Sequence, residues 1–434
     1  MATVSTNAVE GAPGVGDGRG SFHGEPGTLF NILIKGVLLT ILTLGIYRFW
    51  MKTHLRQYYW GSTRLDGEPM EYTGRGIELL LGFMIAIFFL AIYLAAVNFG
   101  LSFASMAYWQ GYEPAIFLSF LTVVPLIPYA KYRAQRYLLS RTRWKGVRFG
   151  LDLDAWSYTW RSLLWSLASI VSLGLLMPLA DFKLRQFITS RMTFGDQRFR
   201  LTGKAGGLYR GYLWVWGLVV LTIALFAVGG AQIETDQFGA PVPAADGGGG
   251  GLFIALGVFA YIAAFVAFLW YGAFQLKYIL SRMEVAGAEA EPARLQSDLS
   301  PRKLTLVMIG GLLLTMLITI AVMVGAGLLL GVIVAAVGAS NPDLFANMMA
   351  DPGAGEPDAV FMIAIFGVGL LFYVIAGVAA VISAEIFINR RFVEKTVETV
   401  RVENVAAMNA ARQQAQTKEE SAEGFADALD VGAF

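Results

Sequence analysis

Long apolar blocks alternate along the chain with short, strongly basic stretches, and this pattern predicts the architecture. A bilayer's hydrocarbon core is about 30 Å thick, which takes about 20 helical residues at about 1.5 Å each. Residues 77–100 (IELLLGFMIAIFFLAIYLAAVNFG), 208–231, 252–275 and 359–388 are long enough to cross, and 114–130 is short but uncharged. Residues 304–338 exceed one crossing, which predicts a tilt, a projection or a break near Gly325 and Gly327. Two further blocks, 29–50 (LFNILIKGVLLTILTLGIYRFW) and 160–180 (WRSLLWSLASIVSLGLLMPLA), fit either a span or a shallower helix.

Charge separates these readings. Seven basic residues lie between Lys131 and Arg148 and seven more between Lys183 and Arg210, so both flanks of 160–180 carry the mark of one membrane side. A full crossing would carry one cluster to the other side, against the positive-inside tendency. A re-entrant or interfacial helix is therefore expected at 160–180 and, by the repeat described below, at 29–50. The six remaining spans pair into three hairpins with outer loops near 101–113, 232–251 and 339–358. None of these loops contains Lys or Arg, while Glu113, Glu234, Asp246, Asp343 and Glu356 lie in them. The expectation is an all-α polytopic protein of a bacterial inner membrane, with six transmembrane helices plus two re-entrant or interfacial helices. Eight transmembrane helices is the alternative. Both termini are expected in the cytoplasm, and Gly247–Gly251 reads as a flexible outer linker.

Composition agrees with this class. Of 434 residues 56% are hydrophobic, above the roughly 45–50% of soluble domains. Net charge is +1, from 33 basic and 32 acidic residues, so no global attraction to nucleic acid follows. Cysteine is absent and the histidines are His23 and His54, which removes thiolate and histidine-rich metal chemistry. No HExxH, P-loop or GxSxG is present, so neither an enzyme nor a cofactor is expected. Residues 1–28, rich in Gly and small polar residues, read as a disordered leader and not as a secretory signal peptide. Residues 29–150 and 151–300 form two membrane repeat units, 301–392 a third transmembrane hairpin, and 393–434 a polar cytoplasmic tail.

The duplication is written in the residues. Residues 43–74 and 172–203 align at an offset of 129 apart from one local shift, sharing Leu-Gly, then Leu-Arg-Gln-aromatic, then Thr-Gly. A partial copy occupies 131–150 and a fainter one 277–283. Each copy runs from a basic amphipathic stretch into an alternating run around Asp66-Gly67, Lys145-Gly146 or Gly195-Asp196, which predicts short cytoplasmic β-hairpins. Such hairpins could simply cap helix ends. The sharper reading is a basic, aromatic surface that clamps phospholipid head groups, with Arg56, Tyr58, Tyr59, Trp60, Arg136, Tyr137, Arg185 and Phe187 as candidates.

The pattern FHGEPGTLFNILIKGVLLTILTLGIYRFW, with the basic aromatic stretch after it and its echo downstream, resembles the YjgN family of bacterial inner-membrane proteins. The resemblance runs from Phe22 to about Phe392, and Thr43 to Tyr47 with Ser172-Leu173-Gly174 carries most of it. It implies the membrane class and supplies no reaction, substrate or active site. In the second copy Leu175-Leu176-Met177-Pro178 replaces the typical tail, so the two copies need not be equivalent.

Intramembrane charge is costly and raises a functional hypothesis wherever it occurs. Lys35 can snorkel to the interface from its block. Glu385, near Arg390 and Arg391, is either a helix-end carboxylate paired with them or a proton-coupling acid, and pairing is the simpler reading. Glu78 suits a helix N-terminus without a special role. Gly45 and Gly174 are candidate helix breaks at matching repeat positions, and Gly327, Gly331 and Ala335 form a small-residue packing face. Two functions follow: a non-enzymatic membrane protein whose basic inner face engages anionic lipid or a partner, or a transporter or channel for a small solute. Membrane lipids are the expected partners, and a second copy of the chain or a small solute stay open.

Overall fold

Each basic stretch folds as its alternation requires, into a strand, a two-residue turn and a second strand. The computed structural model describes residues 17–109, 113–232, 234–235, 241–242, 250–286, 291–340 and 359–413. Its hairpins are β2 (Thr63–Leu65) with β3 (Glu68–Tyr72), β4 (Thr142–Trp144) with β5 (Val147–Leu151), and β6 (Met192–Phe194) with β7 (Gln197–Leu201). Asp66 and Gly67 have φ of 54° and 78°, and Lys145 and Gly146 have 49° and 78°. Positive φ at both turn positions matches the right-handed twist of the flanking strands. Two-residue strands β8 (Glu234–Thr235) and β9 (Pro241–Val242) pair separately.

These hairpins do not stand alone. With β1 (Gly18–Phe22), β10 (Met283–Ala286), β11 (Ala293–Ser297) and β12 (Val400–Glu403) they join edge to edge in a closed ten-stranded barrel, in the order β1-β12-β11-β10-β7-β6-β5-β4-β3-β2. The expected all-α class with isolated short hairpins is thereby corrected. The physical reason is that a two-stranded ribbon is marginal in water and exposes two edges, whereas closure pairs every edge. The closing seam sets Arg19 against Arg401 and Gly20 against Leu65. The stretch read as a leader, residues 1–28, thus contributes β1, and the stretch read as a tail, residues 393–434, contributes β12.

The barrel is filled. Trp144, Phe149, Phe194, Phe199, Val285 and Val402 form its core, joined by Val405 and Met408 from the short helix after β12. Asn409 accepts a hydrogen bond from Lys145 Nζ at 3.0 Å, and Arg412 N donates to Asp196 at 2.9 Å, so this terminal segment lies across the rim that carries the tight turns.

Helices leave from the opposite rim. Six are long and apolar enough to cross a membrane by length and composition: Gly76–Tyr108, Ala115–Ser140, Gly206–Ala231, Gly250–Leu280, Pro301–Ala336 and Phe366–Val397. They belong to α3 (Gly76–Trp109), α4 (Glu113–Val123) with α5 (Leu126–Ser140), α8 (Gly206–Ala231), α9 (Gly250–Leu280), α10 (Pro301–Ser340), and α11 (Ala359–Ala384) with its extension α12 (Arg390–Val397). The second is interrupted at Val124–Pro125, where proline lacks the donor that a continuing helix needs. Of the outer loops read near 101–113, 232–251 and 339–358, residues 101–109 instead continue α3, while most of the other two, Gly247–Gly249 included, lies outside the described residues. Gly250 and Gly251 open α9.

Two shorter helical hairpins complete the set: α1 (Pro26–Leu42) with α2 (Arg48–Ser62), and α6 (Ala155–Val171) with α7 (Met177–Thr189). The first leaves β1 and returns to β2, which pair with each other, and the second leaves β5 and returns to β6, which also pair. A single crossing by either block is incompatible with that pairing, because both ends are fixed to neighbouring strands. The bends are copies. Leu44 and Gly45 have φ of 49° and 95°, and Leu173 and Gly174 have 51° and 87°. Thr43 Oγ1 accepts from Tyr47 N at 2.9 Å, and Ser172 Oγ from Leu176 N at 3.1 Å, so one hydroxyl in each copy starts the returning helix.

Leucine in the left-handed region costs on the order of 1–3 kcal/mol, and its side chain here points away from protein: Leu44 is 94% exposed and Leu173 81%. Such tips suit lipid. The second is fastened to a span, since Trp216 Nε1 and Tyr212 Oη each donate at 2.8 Å to the carbonyls of Leu173 and Gly174. These residues lie six and ten positions beyond the start of α8, so the tip reaches about 9–15 Å along it, less than the core thickness.

The cysteine-free chain makes this arrangement directly testable. Single-cysteine variants D66C and K145C should react with a membrane-impermeant thiol reagent from one common side of sealed vesicles. L44C and L173C should be protected from that reagent on both sides. Labelling of either leucine position from the side opposite the turns would refute the re-entrant geometry.

Candidate interfacial site

Between barrel and spans lies a layer built by the ends of α2, α5, α7 and α9. Three of these end in an aromatic residue followed four positions later by arginine, so helical periodicity lays the guanidinium on the ring. Arg141 lies over Tyr137 at 5.6 Å, Arg191 over Phe187 at 3.6 Å and Arg282 over Tyr278 at 3.7 Å. Two of these arginines also hold an acid at the start of the same helical excursion that they close. Arg141 meets Glu78 at 3.0 Å and Arg191 meets Asp154 at 2.6 Å. Glu78 accepts from Tyr137 Oη as well, so it latches two elements in addition to suiting a helix N-terminus.

Most of the eight candidate head-group residues face inward. Arg56, Tyr58, Tyr59, Arg136, Tyr137 and Phe187 are buried, and Trp60 is half-buried. Arg56 donates to Tyr72 Oη at 3.2 Å, Trp60 to Thr142 Oγ1 at 2.9 Å, and Arg136 Nε to the Leu151 carbonyl at 2.8 Å. These contacts join helix to barrel. Arg185 alone among the eight is exposed.

Arg185 lines a cavity of about 670 Å³ between α5, the re-entrant pair α6–α7 and the foot of α9. Its cationic lining is Lys131 and Arg185, with Asp181, Gln135 and Tyr158 alongside. Ile127, Leu163, Leu184 and Ile188 supply apolar wall. Gln275 on α9 donates to Asp181 at 3.3 Å, five residues before that helix ends, so the carboxylate lies about 8 Å inside its mouth. Burial pushes the Tyr158 phenol up, with the Arg185 guanidinium acting against it, so Tyr158 stays a neutral donor. The sequence pattern singles out neither Lys131 nor Asp181. Asp181 could have been found as the acid that stands where the first repeat has Lys52, since 52 plus the offset of 129 is 181.

The remaining candidates separate. Lys35 is exposed on α1. Gly45 and Gly174 occupy the left-handed bends described above. A Cβ added at Gly327 or Gly331 would meet nothing within 4 Å, so this small-residue face packs against no other described element, and it is Gly311 that approaches a neighbour, the Phe387 carbonyl. Glu385 opens a single π-helical turn, Glu385–Asn389, between α11 and α12. Its carboxylate accepts from Tyr59 Oη at 2.7 Å and from Asn389 Nδ2 at 2.6 Å, while Arg390 pairs with Glu394 at 3.4 Å. Burial and this carboxylate hold the Tyr59 phenol far above its usual range. Among the described residues no cluster of His, Asp or Glu could hold a metal ion.

Comparison with known proteins places this geometry in a family. The family described as "Bacterial protein of unknown function (DUF898)" matches residues 17–428. "Inner membrane protein YjgN" of Salmonella typhimurium (strain LT2) is 26% identical over 141 residues, 32% of this chain and 33% of the relative. Its namesake in Escherichia coli (strain K12) is 24% identical over 153 residues, 35% of this chain and 36% of the relative. The chain thus aligns with about a third of the length of these curated relatives. No solved structure matches it.

The Arg191–Asp154 latch yields a pH signature. Ser157 and Arg191 hydrogen-bond the Asp154 carboxylate and hold its pKa below the usual range. A depressed folded pKa gives stability that is present above the unfolded value of about 3.9 and lost as pH falls through the folded one. Asp154→Asn should therefore cost about 1 kcal/mol near pH 7. Thermal melts in detergent should show the gap between variant and wild type closing as pH falls below the unfolded carboxylate value of about 3.9.

Proposed function

The chain belongs to the DUF898 family of bacterial proteins of unknown function, and from that premise we propose a non-enzymatic inner-membrane protein whose cytoplasmic face binds anionic phospholipid. The supporting observation is the cavity beside α6–α7, where exposed Lys131 and Arg185 meet apolar wall at the level of the interface. Asp181 and Arg185 stand one turn apart on the same helix, where opposite charges offset each other, and Lys131 leaves the cavity with surplus positive charge. A phosphate-bearing head group with acyl chains satisfies both kinds of wall.

The barrel strengthens the basic face. Arg143 sits directly opposite Arg148, and Arg19 opposite Arg401. Like charges across a ladder oppose folding, and here they concentrate positive potential on one side of the membrane. All 33 basic residues lie outside the three outer connections, which supports a barrel on the cytoplasmic side and cytoplasmic termini. Transport of a small solute is the second reading, and it draws on the two re-entrant hairpins at matching repeat positions, a feature of many carriers.

Each juxtamembrane cation contributes about 1 kcal/mol of attraction to an anionic leaflet. Lys131→Gln with Arg185→Gln should thus weaken phosphatidylglycerol binding by roughly 30-fold, read by native mass spectrometry or by lipid titration in detergent. Binding unchanged in the double variant would remove the site. Uptake of a solute panel by reconstituted vesicles, with lipid binding absent, would favour the carrier.

A further inference from the structure

A second cavity occupies the repeat-related place. It has a volume of about 580 Å³ and lies between the α1–α2 hairpin, α10 and the π-helical turn. Lys52, Leu55 and Tyr59 line it, and these are the partners, at the offset of 129, of Asp181, Leu184 and Ile188 in the first cavity. Duplication has kept the space and changed its chemistry.

The charges here stand on opposite walls. Arg48 and Lys52, one turn apart near the start of α2, bring two positive charges on one side. Glu385 and Asn389, on the π-helical turn, face the cavity from the other element. Two neutral donors among the described residues, the Tyr59 hydroxyl and the Asn389 amide, orient the Glu385 carboxylate, one at each oxygen, and a carboxylate oxygen can accept more than one bond. The widened turn is what places it there, with the Phe387 carbonyl seated on Gly311 of α10, where a larger residue would collide. Met308, Phe392 and Leu55 add an apolar surface.

We propose that this cavity binds the head group of a zwitterionic phospholipid carrying a primary ammonium, of the ethanolamine class, with phosphate toward Arg48 and Lys52 and ammonium toward Glu385. The ammonium matters because it donates hydrogen bonds to a carboxylate, whereas the quaternary ammonium of choline has no proton to give. The inference extends the lipid-binding reading to a separate cavity, so the two can fail independently.

The test is competition on the delipidated full-length protein, followed by native mass spectrometry with phosphatidylethanolamine, phosphatidylcholine and phosphatidylglycerol of identical chains. Ethanolamine lipid should be retained about tenfold over choline lipid at one site, the factor expected of a charge-assisted hydrogen bond. Glu385→Gln should erase that preference. Lys131→Gln with Arg185→Gln should leave it intact while lowering phosphatidylglycerol binding. Equal retention of choline and ethanolamine lipid by the wild type would overturn the proposal without any variant. Water-soluble glycerophosphoethanolamine binding as tightly as the lipid would also overturn it, by showing that the ligand is a solute.

Discussion

Strand pairing at the barrel rim is the constraint from which the rest of the molecule follows. Every helical excursion leaves one strand and returns to the strand hydrogen-bonded beside it, so its two feet cannot stand on different sides of a membrane. β1 with β2, β3 with β4, β5 with β6, β7 with β10, and β11 with β12 each frame one such excursion. Three are long enough to cross and return. The other two bend back at Leu-Gly and stop part of the way in.

Closure of the barrel and burial of its core depend on each other. Strands of three to five residues bury little surface singly, but ten of them surround Trp144, Phe194 and Val285, and the segment from Val405 to Met408 seals the rim away from the helices. The arginines at the helix ends then tie the two layers together through rings and through Glu78 and Asp154. A basic residue in this layer is thus more often a structural tie than a free charge. Arg56 and Arg136 are buried for that reason, and Arg185, which lines the cavity beside α6–α7, is exposed.

Repetition supplies geometry without repeating chemistry. The two re-entrant bends share left-handed Leu-Gly and a capping hydroxyl, and the two cavities share three positions of the returning helix. Lysine at 52 faces a carboxylate from a distant helix, while aspartate at 181 shares its helix with arginine. The functional difference proposed between the cavities rests on that exchange.

The sequence by itself determined the apolar lengths of the spans, the clustering of the basic residues, the duplication and the turn dipeptides, because each depends on composition or on residues a few positions apart. Asp66-Gly67 specifies its turn whatever lies elsewhere, and the clusters flanking 160–180 expose its return. Only the tertiary structure decided that the hairpins close into a barrel, since the bonds that do so join residues as far apart as Arg19 and Arg401 and nothing in a Gly-rich segment marks Gly18–Phe22 as a strand. The same holds for the cavities. Lys131, Asp181 and Glu385 acquire meaning from neighbours on other helices, and spacing along the chain carries no trace of distance across it.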